Sequence, residues 1–165
     1  METHDILIKG IVALHSLLRW LIVIFLLINI IRSFLSIDES KYSTSDLSWN
    51  YRLLFVTHIN WVIGLGQYFF GAKGFVYFSQ YDFGEIMKSS VMRFWALEHP
   101  LLMITAVVLI TISRKIAKTP IEGTAKPKHK KLGLLYGLAL LAILVAIPWP
   151  FREGFDSYPW IRLLN

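Results

Sequence analysis

The chain has 165 residues, of which 55% are hydrophobic and only 17% charged, with a formal net charge of +6. This composition suits one membrane-embedded domain and leaves no room for a separate soluble catalytic domain. The absence of cysteine excludes disulfides, thiolate metal sites and a cysteine nucleophile, and no H-E-x-x-H string, carboxylate cluster or glycine-rich phosphate loop occurs.

Four apolar runs follow one another along the chain: Ile11 to Ile31, Leu53 to Phe70, Phe94 to Ile112 and Leu132 to Ile147. Each holds on the order of 20 residues, enough at about 1.5 Å per residue to cross a hydrocarbon core roughly 30 Å thick. The prediction is an all-α, integral membrane, up-down-up-down four-helix bundle forming a single domain over residues 1–165. The first run is longer than a signal h-region and no small-residue cleavage site follows it, so it is expected to remain in the mature protein. It carries His15 and, four residues on, Arg19 on the same face.

The second run carries His58, Asn60 and Gln67, with Gly64 and Gly66 between them. The loop after it, Ala72 to Ser89, balances Lys73 and Lys88 against Asp82 and Glu85. The third run begins beside Arg93 and contains Glu98, His99 and Pro100. Pro100 is expected to kink the helix and release the backbone carbonyl of Ala96.

A basic connector over 114–131 then carries Arg114, Lys115, Lys118, Lys126, Lys128, Lys130 and Lys131 against Glu122 alone. By the retention of Lys and Arg in short cytoplasmic loops, this connector faces the cytoplasm and both termini face outward. Its position between two spans, broken by Pro120, Gly123 and Pro127, argues for topology and contact with the lipid bilayer rather than nucleic-acid binding. The fourth run carries Gly133 and Gly137, read as a packing surface. Pro148 and Pro150 end it, and the tail 150–165, with Phe151, Phe155, Tyr158 and Trp160 beside Arg152 and Arg162, is expected in the outer interface. The tryptophans are assigned no chemistry.

Ionisable groups at membrane depth are costly and mark the bundle interior or a site. Counting from the middle of each run puts His15 roughly 9 Å and His99 roughly 6 Å outward, nearly one level. The first and third helices occupy opposite corners of such a bundle, so their axes lie roughly 11–14 Å apart when neighbours are 8–10 Å apart. This spacing suits two imidazoles on one central iron, and the expected cofactor is a haem b held by His15 and His99. Arg19 is expected to meet Glu98 or a haem propionate, and Arg93 is the better placed propionate partner. His58 lies roughly 6 Å to the other side of the middle of its helix. It is left as an alternative ligand, a quinone contact or part of a proton path. The packing readings stand beside these: histidines that fix helix contacts, and an Arg19–Glu98 pair that sets register.

The strings Leu14-His15-Ser16-Leu17-Leu18-Arg19-Trp20, Thr57-His58 with Gly64-Leu65-Gly66-Gln67-Tyr68, and Arg93-Phe94-Trp95-Ala96-Leu97-Glu98-His99 resemble small four-span bacterial membrane proteins labelled cytochrome b. The entry Lys128-His129-Lys130-Lys131 and exit Ile147-Pro148-Trp149-Pro150-Phe151-Arg152 of the last helix resemble that group as well, so the resemblance covers nearly the whole chain. A looser similarity links the layout to haem-binding four-helix bundles such as the halves of haem A synthase. The resemblance implies a bacterial inner-membrane b-type cytochrome that transfers electrons, with the quinone pool or a larger respiratory complex as partner. Two other classes stay open: a haem-free membrane subunit or assembly factor, and a small proton-handling enzyme or transporter built on His58, Glu98 and Arg19.

Overall fold

The computed structural model describes residues 2–36, 41–121 and 123–158, with the backbone course alone for 2–5. Among these residues the secondary structure is helical throughout: α1 (Glu2–Leu35), α2 (Thr44–Phe70), α3 (Tyr77–Gln80), α4 (Phe83–Lys88), α5 (Ser90–Arg93), a π-helical turn (Phe94–Glu98), α6 (His99–Lys118) and α7 (Lys126–Ala146). Four stretches are long and apolar enough to cross a membrane: Ile6–Leu35, Thr44–Phe70, Ser90–Lys118, in which α5, the π turn and α6 are continuous, and Lys126–Ala146. The chain is a multi-pass helical membrane protein.

Local chemistry sets the helix ends. Ser43 caps α2 by accepting from the Asp46 N–H, and the Asp46 carboxylate returns the bond to the Ser43 backbone, which satisfies two donors the helix leaves unpaired. Asp82 and Glu85 form the same box on α4. The spans run past the apolar runs because their basic flanks stay helical: Arg114, Lys115 and Lys118 belong to α6, and Lys126, Lys128, Lys130 and Lys131 open α7. The connector expected over 114–131 therefore shrinks to 119–125, with Glu122 outside the described residues. Long basic side chains lay their methylene stems along apolar surface and carry their charge to the polar end, so these residues can stay in the helix. The Lys128 ammonium turns back to donate to the carbonyls of Ala117 (3.3 Å) and Thr119 (2.5 Å), at the end of α6 where carbonyls lack helical partners.

Each long helix packs on two neighbours: α1 on α2 and α7, and α6 on α2 and α7. This is a square, antiparallel four-helix bundle in which α1 and α6 stand diagonally. Leu26, Leu53, Ile110, Leu132 and Tyr136 form a dense core with at most 1% exposure, while Leu134, Leu138, Leu141 and Val145 point outward as a lipid-facing stripe on α7.

Polar ties cross the basic half of the bundle. Arg32 on α1 pairs with Asp46 on α2 at 2.6 Å. Buried Asn50 on α2 donates to Ser113 (3.0 Å) on α6 and to the Tyr136 hydroxyl (2.7 Å) on α7, and so joins three helices. Burial, and then neighbouring Tyr136 and Asp46, push the Tyr42 phenol above its ordinary range, so it stays neutral beside this network. His129, placed by sequence in the basic connector, is instead in the first turns of α7, buried with its ring 5.3 Å from that of Tyr42.

At the opposite end, nearer the termini, the tail is not confined to an interfacial belt. Phe155 is fully buried with its ring 4.9 Å from Phe94, Tyr158 packs on Trp95 and contacts the Lys73 ammonium, and Arg152 reaches Glu98 at 3.2 Å. Phe151 stays exposed, as a belt residue does. Trp160 and Arg162 lie outside the described residues.

Candidate functional site

The half of the bundle nearer the termini is less densely filled. A cavity of about 290 Å³ lies between α1, α2, the π turn and α6, and Ile143 of α7 also lines it. Its surface is almost wholly apolar. The polar residues that reach it are His15 and Arg19 from α1, Thr57 and Asn60 from α2, Tyr68 near the end of α2, and His99 from α6. His15 and His99 both line this cavity, from the diagonal helices α1 and α6.

The two imidazoles are held differently. His99 donates from Nδ1 to the carbonyl of Ala146 at 2.8 Å, in the last turn of α7 where carbonyls lack helical partners. Since a carbonyl only accepts, Nδ1 carries the proton and Nε2 carries the lone pair. His15 packs edge-on against α2, and a Cβ placed on Gly64 would come within 3.1 Å of its Cε1. Gly64 therefore makes room for the His15 imidazole against α2. Gly66 faces open space. Gly133 approaches Ser33 and Phe34 of α1 and Gly137 meets nothing, so only the first of that pair is a packing surface.

Asn60 stands beside His15, one turn before Gly64. Neither Nδ1 of His15 nor Oδ1 of Asn60 has a hydrogen-bond partner among the described residues, although both atoms are buried. Arg19 donates to Ser16 at 3.2 Å, lies over the Trp20 ring, and is close enough to both imidazoles to act on them electrostatically.

Other candidate residues fall elsewhere. Glu98 does not meet Arg19: it accepts from Arg93 at 2.7 Å and from Arg152 at 3.2 Å, a partly exposed triad at the terminal end. Arg93 also donates to the Met87 carbonyl and does not line the cavity. His58 lies outside the cavity as well, donating from Nδ1 to the Leu54 carbonyl (2.9 Å) with Nε2 at 3.5 Å from the Thr111 hydroxyl. Gln67 donates to the Ile11 carbonyl at 3.2 Å and ties α2 to α1.

The backbone around His99 is irregular in the way its sequence demands. Pro100 has no N–H, and the chain winds through the π turn Phe94–Glu98, with the His99 N–H reaching the Phe94 carbonyl. The Ala96 carbonyl is taken by the Tyr68 hydroxyl at 3.0 Å. Trp61, to which the sequence reading gave no role, lines the cavity, as do Leu101 and Ile104, which are 60% and 45% exposed on the outer surface of α6. The cavity therefore opens sideways, between α2 and α6, toward the lipid-facing surface.

Among the described residues no three His, Asp or Glu side chains converge as a protein-only metal cage. Compared with known proteins, the chain matches no family model, no curated protein and no solved structure. The resemblance carried by its motifs is joined by no match of that kind.

Proposed function

We propose that this protein is a membrane electron carrier that binds one haem b between His15 and His99. The observation that carries the reading is the arrival of two imidazoles from diagonal helices at one apolar cavity, one of them with its Nδ1 engaged and its Nε2 lone pair available. A histidine that ligates iron normally gives its other ring N–H to a carbonyl or carboxylate, and the Ala146 carbonyl fills that role for His99.

The donor set fits. Two neutral imidazoles, from His15 and His99, would hold the iron of one haem, and the apolar wall would keep water away from it. Arg19 lines the cavity and is the cation there for a propionate, whereas Arg93 is paired with Glu98 and does not line it. Bound haem would supply one-electron transfer, which no side chain here can perform alone. The sideways opening supports exchange with a lipid-soluble donor or acceptor such as a quinone, and the lipid-facing exterior supports a place beside larger respiratory subunits.

At about 290 Å³ the cavity lies at the lower edge of the roughly 300–1,000 Å³ typical of ligand sites. Seating a macrocycle requires lining side chains to move outward, or the ring edge to project through the opening. That size favours the second reading, a haem-free membrane subunit whose histidines serve packing. One experiment separates the two: a reduced-minus-oxidised visible spectrum of detergent-purified protein expressed with ample haem, beside His15→Ala and His99→Ala. A six-coordinate b-type spectrum lost in both variants is the expected result. A colourless, folded wild type overturns the haem reading.

A further inference from the structure

The two cavity histidines differ in one respect. His99 has an acceptor for its Nδ1–H, the Ala146 carbonyl, whereas Nδ1 of His15 is buried with no partner among the described residues. Asn60 brings two acceptors beside it, its backbone carbonyl and a side-chain Oδ1 that is itself buried and unpaired. A buried ring nitrogen and a buried amide oxygen left unpaired in an apolar wall are each unfavourable, and they satisfy one another when the ring nitrogen carries the proton. Gly64, one turn further along α2, removes the side chain that would hold the imidazole away from this helix.

We propose that Asn60 is the positioning residue of His15: its Oδ1 accepts a hydrogen bond from Nδ1–H and thereby presents the Nε2 lone pair of His15 to the cavity. Asn60 on α2 and the Ala146 carbonyl on α7 then play matching parts, so that both imidazoles hold the same tautomer and offer the same nitrogen. The competing arrangement turns the Asn60 amide over, so that Nδ2 donates to Nδ1 and His15 carries its proton on Nε2. In that state His15 could not ligate through Nε2. The role of His15 as an iron ligand rests on the haem reading; the hydrogen bond itself does not.

The test reads the tautomer directly in the full-length, haem-free protein. With ¹⁵N-labelled histidine, the His15 signals are assigned by their loss in His15→Gln. The wild type is expected to show the Nδ1–H tautomer, Asn60→Asp to retain it, and Asn60→Leu to lose it. An Nε2–H tautomer in the wild type, or an Asn60→Leu spectrum unchanged at His15, overturns the proposal. Should Asn60→Leu not fold, the wild type and Asn60→Asp decide it.

In haem-loaded protein, removing the acceptor makes His15 a weaker donor to iron. Asn60→Leu is expected to raise the midpoint potential and weaken haem binding roughly 10- to 100-fold, and Asn60→Asp to lower the potential. Equal potentials in all three proteins count against the positioning role. Failure of the wild type to take up haem would defeat the haem reading and leave the tautomer result to decide this one.

Discussion

Gly64 and Gly66 are two residues apart on α2, yet a methyl group meets different surroundings at each. At Gly64 it would stand 3.1 Å from Cε1 of His15, close enough that the ring must give way, whereas at Gly66 nothing lies within 4 Å. Alanine in a helix gains roughly 0.5–1 kcal/mol over glycine from the backbone alone, and overpacking costs about 1–3 kcal/mol. Gly66→Ala is therefore expected to raise the melting temperature in detergent slightly, and Gly64→Ala to lower it or leave it unchanged while displacing His15 and weakening ligand uptake. Equal shifts for the two would show that the imidazole is not seated against α2. Counting residues along each span suggested one level for His15 and His99, and both line one cavity. It could not reveal that Gly64 and Asn60 form the wall behind His15, because two helices joined by a loop have a relative rotation that depth does not specify.

The third span shows where periodicity stops being informative. Pro100 announces a missing N–H, and the released Ala96 carbonyl is readable from that proline alone. The π turn at Phe94–Glu98 is not, since it inserts one residue and rotates everything upstream by roughly 100° against α6. A face count made at 3.6 residues per turn does not anticipate that Glu98 turns to Arg93 and Arg152 rather than to Arg19. The Tyr68 hydroxyl, which occupies the Ala96 carbonyl, gives this irregularity a measurable cost. Tyr68→Phe is expected to destabilise by about 1–3 kcal/mol, the penalty for a buried acceptor left unpaired. The loss should be smaller in a Pro100→Ala background, where a backbone N–H is again available in the same turn. A double-mutant cycle with no coupling would mean that Tyr68 does not compensate for the proline.

The tail shows the same limit, because its aromatic composition suggests an interface but does not show which ring turns inward. Fully buried Phe155 fills the space over Phe94, while the Arg152–Glu98 contact is roughly one-third exposed. Phe155→Ala is expected to cost about 3–5 kcal/mol and Arg152→Ala under about 1 kcal/mol, since cavity formation outweighs a solvent-screened ion pair. Thermal denaturation of the two variants in detergent measures both, and equal losses would mean that charge rather than packing holds the tail down.

At the scale of the whole molecule, the four spans and their alternation were legible because a membrane allows few alternatives to long apolar helices. Their orientation rests on a charge argument. Arg114, Lys115 and Lys118 at the end of α6, with Lys126, Lys128, Lys130 and Lys131 at the start of α7, gather seven basic residues at one end of the bundle. The described segment between Phe70 and Ser90, at the other end, balances Lys73 and Lys88 with Asp82 and Glu85. By the retention of Lys and Arg on the cytoplasmic side, α3 and α4 are expected outside. The cavity, with His15 and His99, would lie in the outer half of the membrane. A chain without cysteine permits a direct test. Exposed Gln80 on α3 and exposed Thr124 in the basic connector can each be changed to cysteine against a silent background. In intact cells a membrane-impermeant thiol reagent is expected to label Gln80→Cys and spare Thr124→Cys until the membrane is broken. The reverse pattern would invert the protein and move the cavity to the cytoplasmic half.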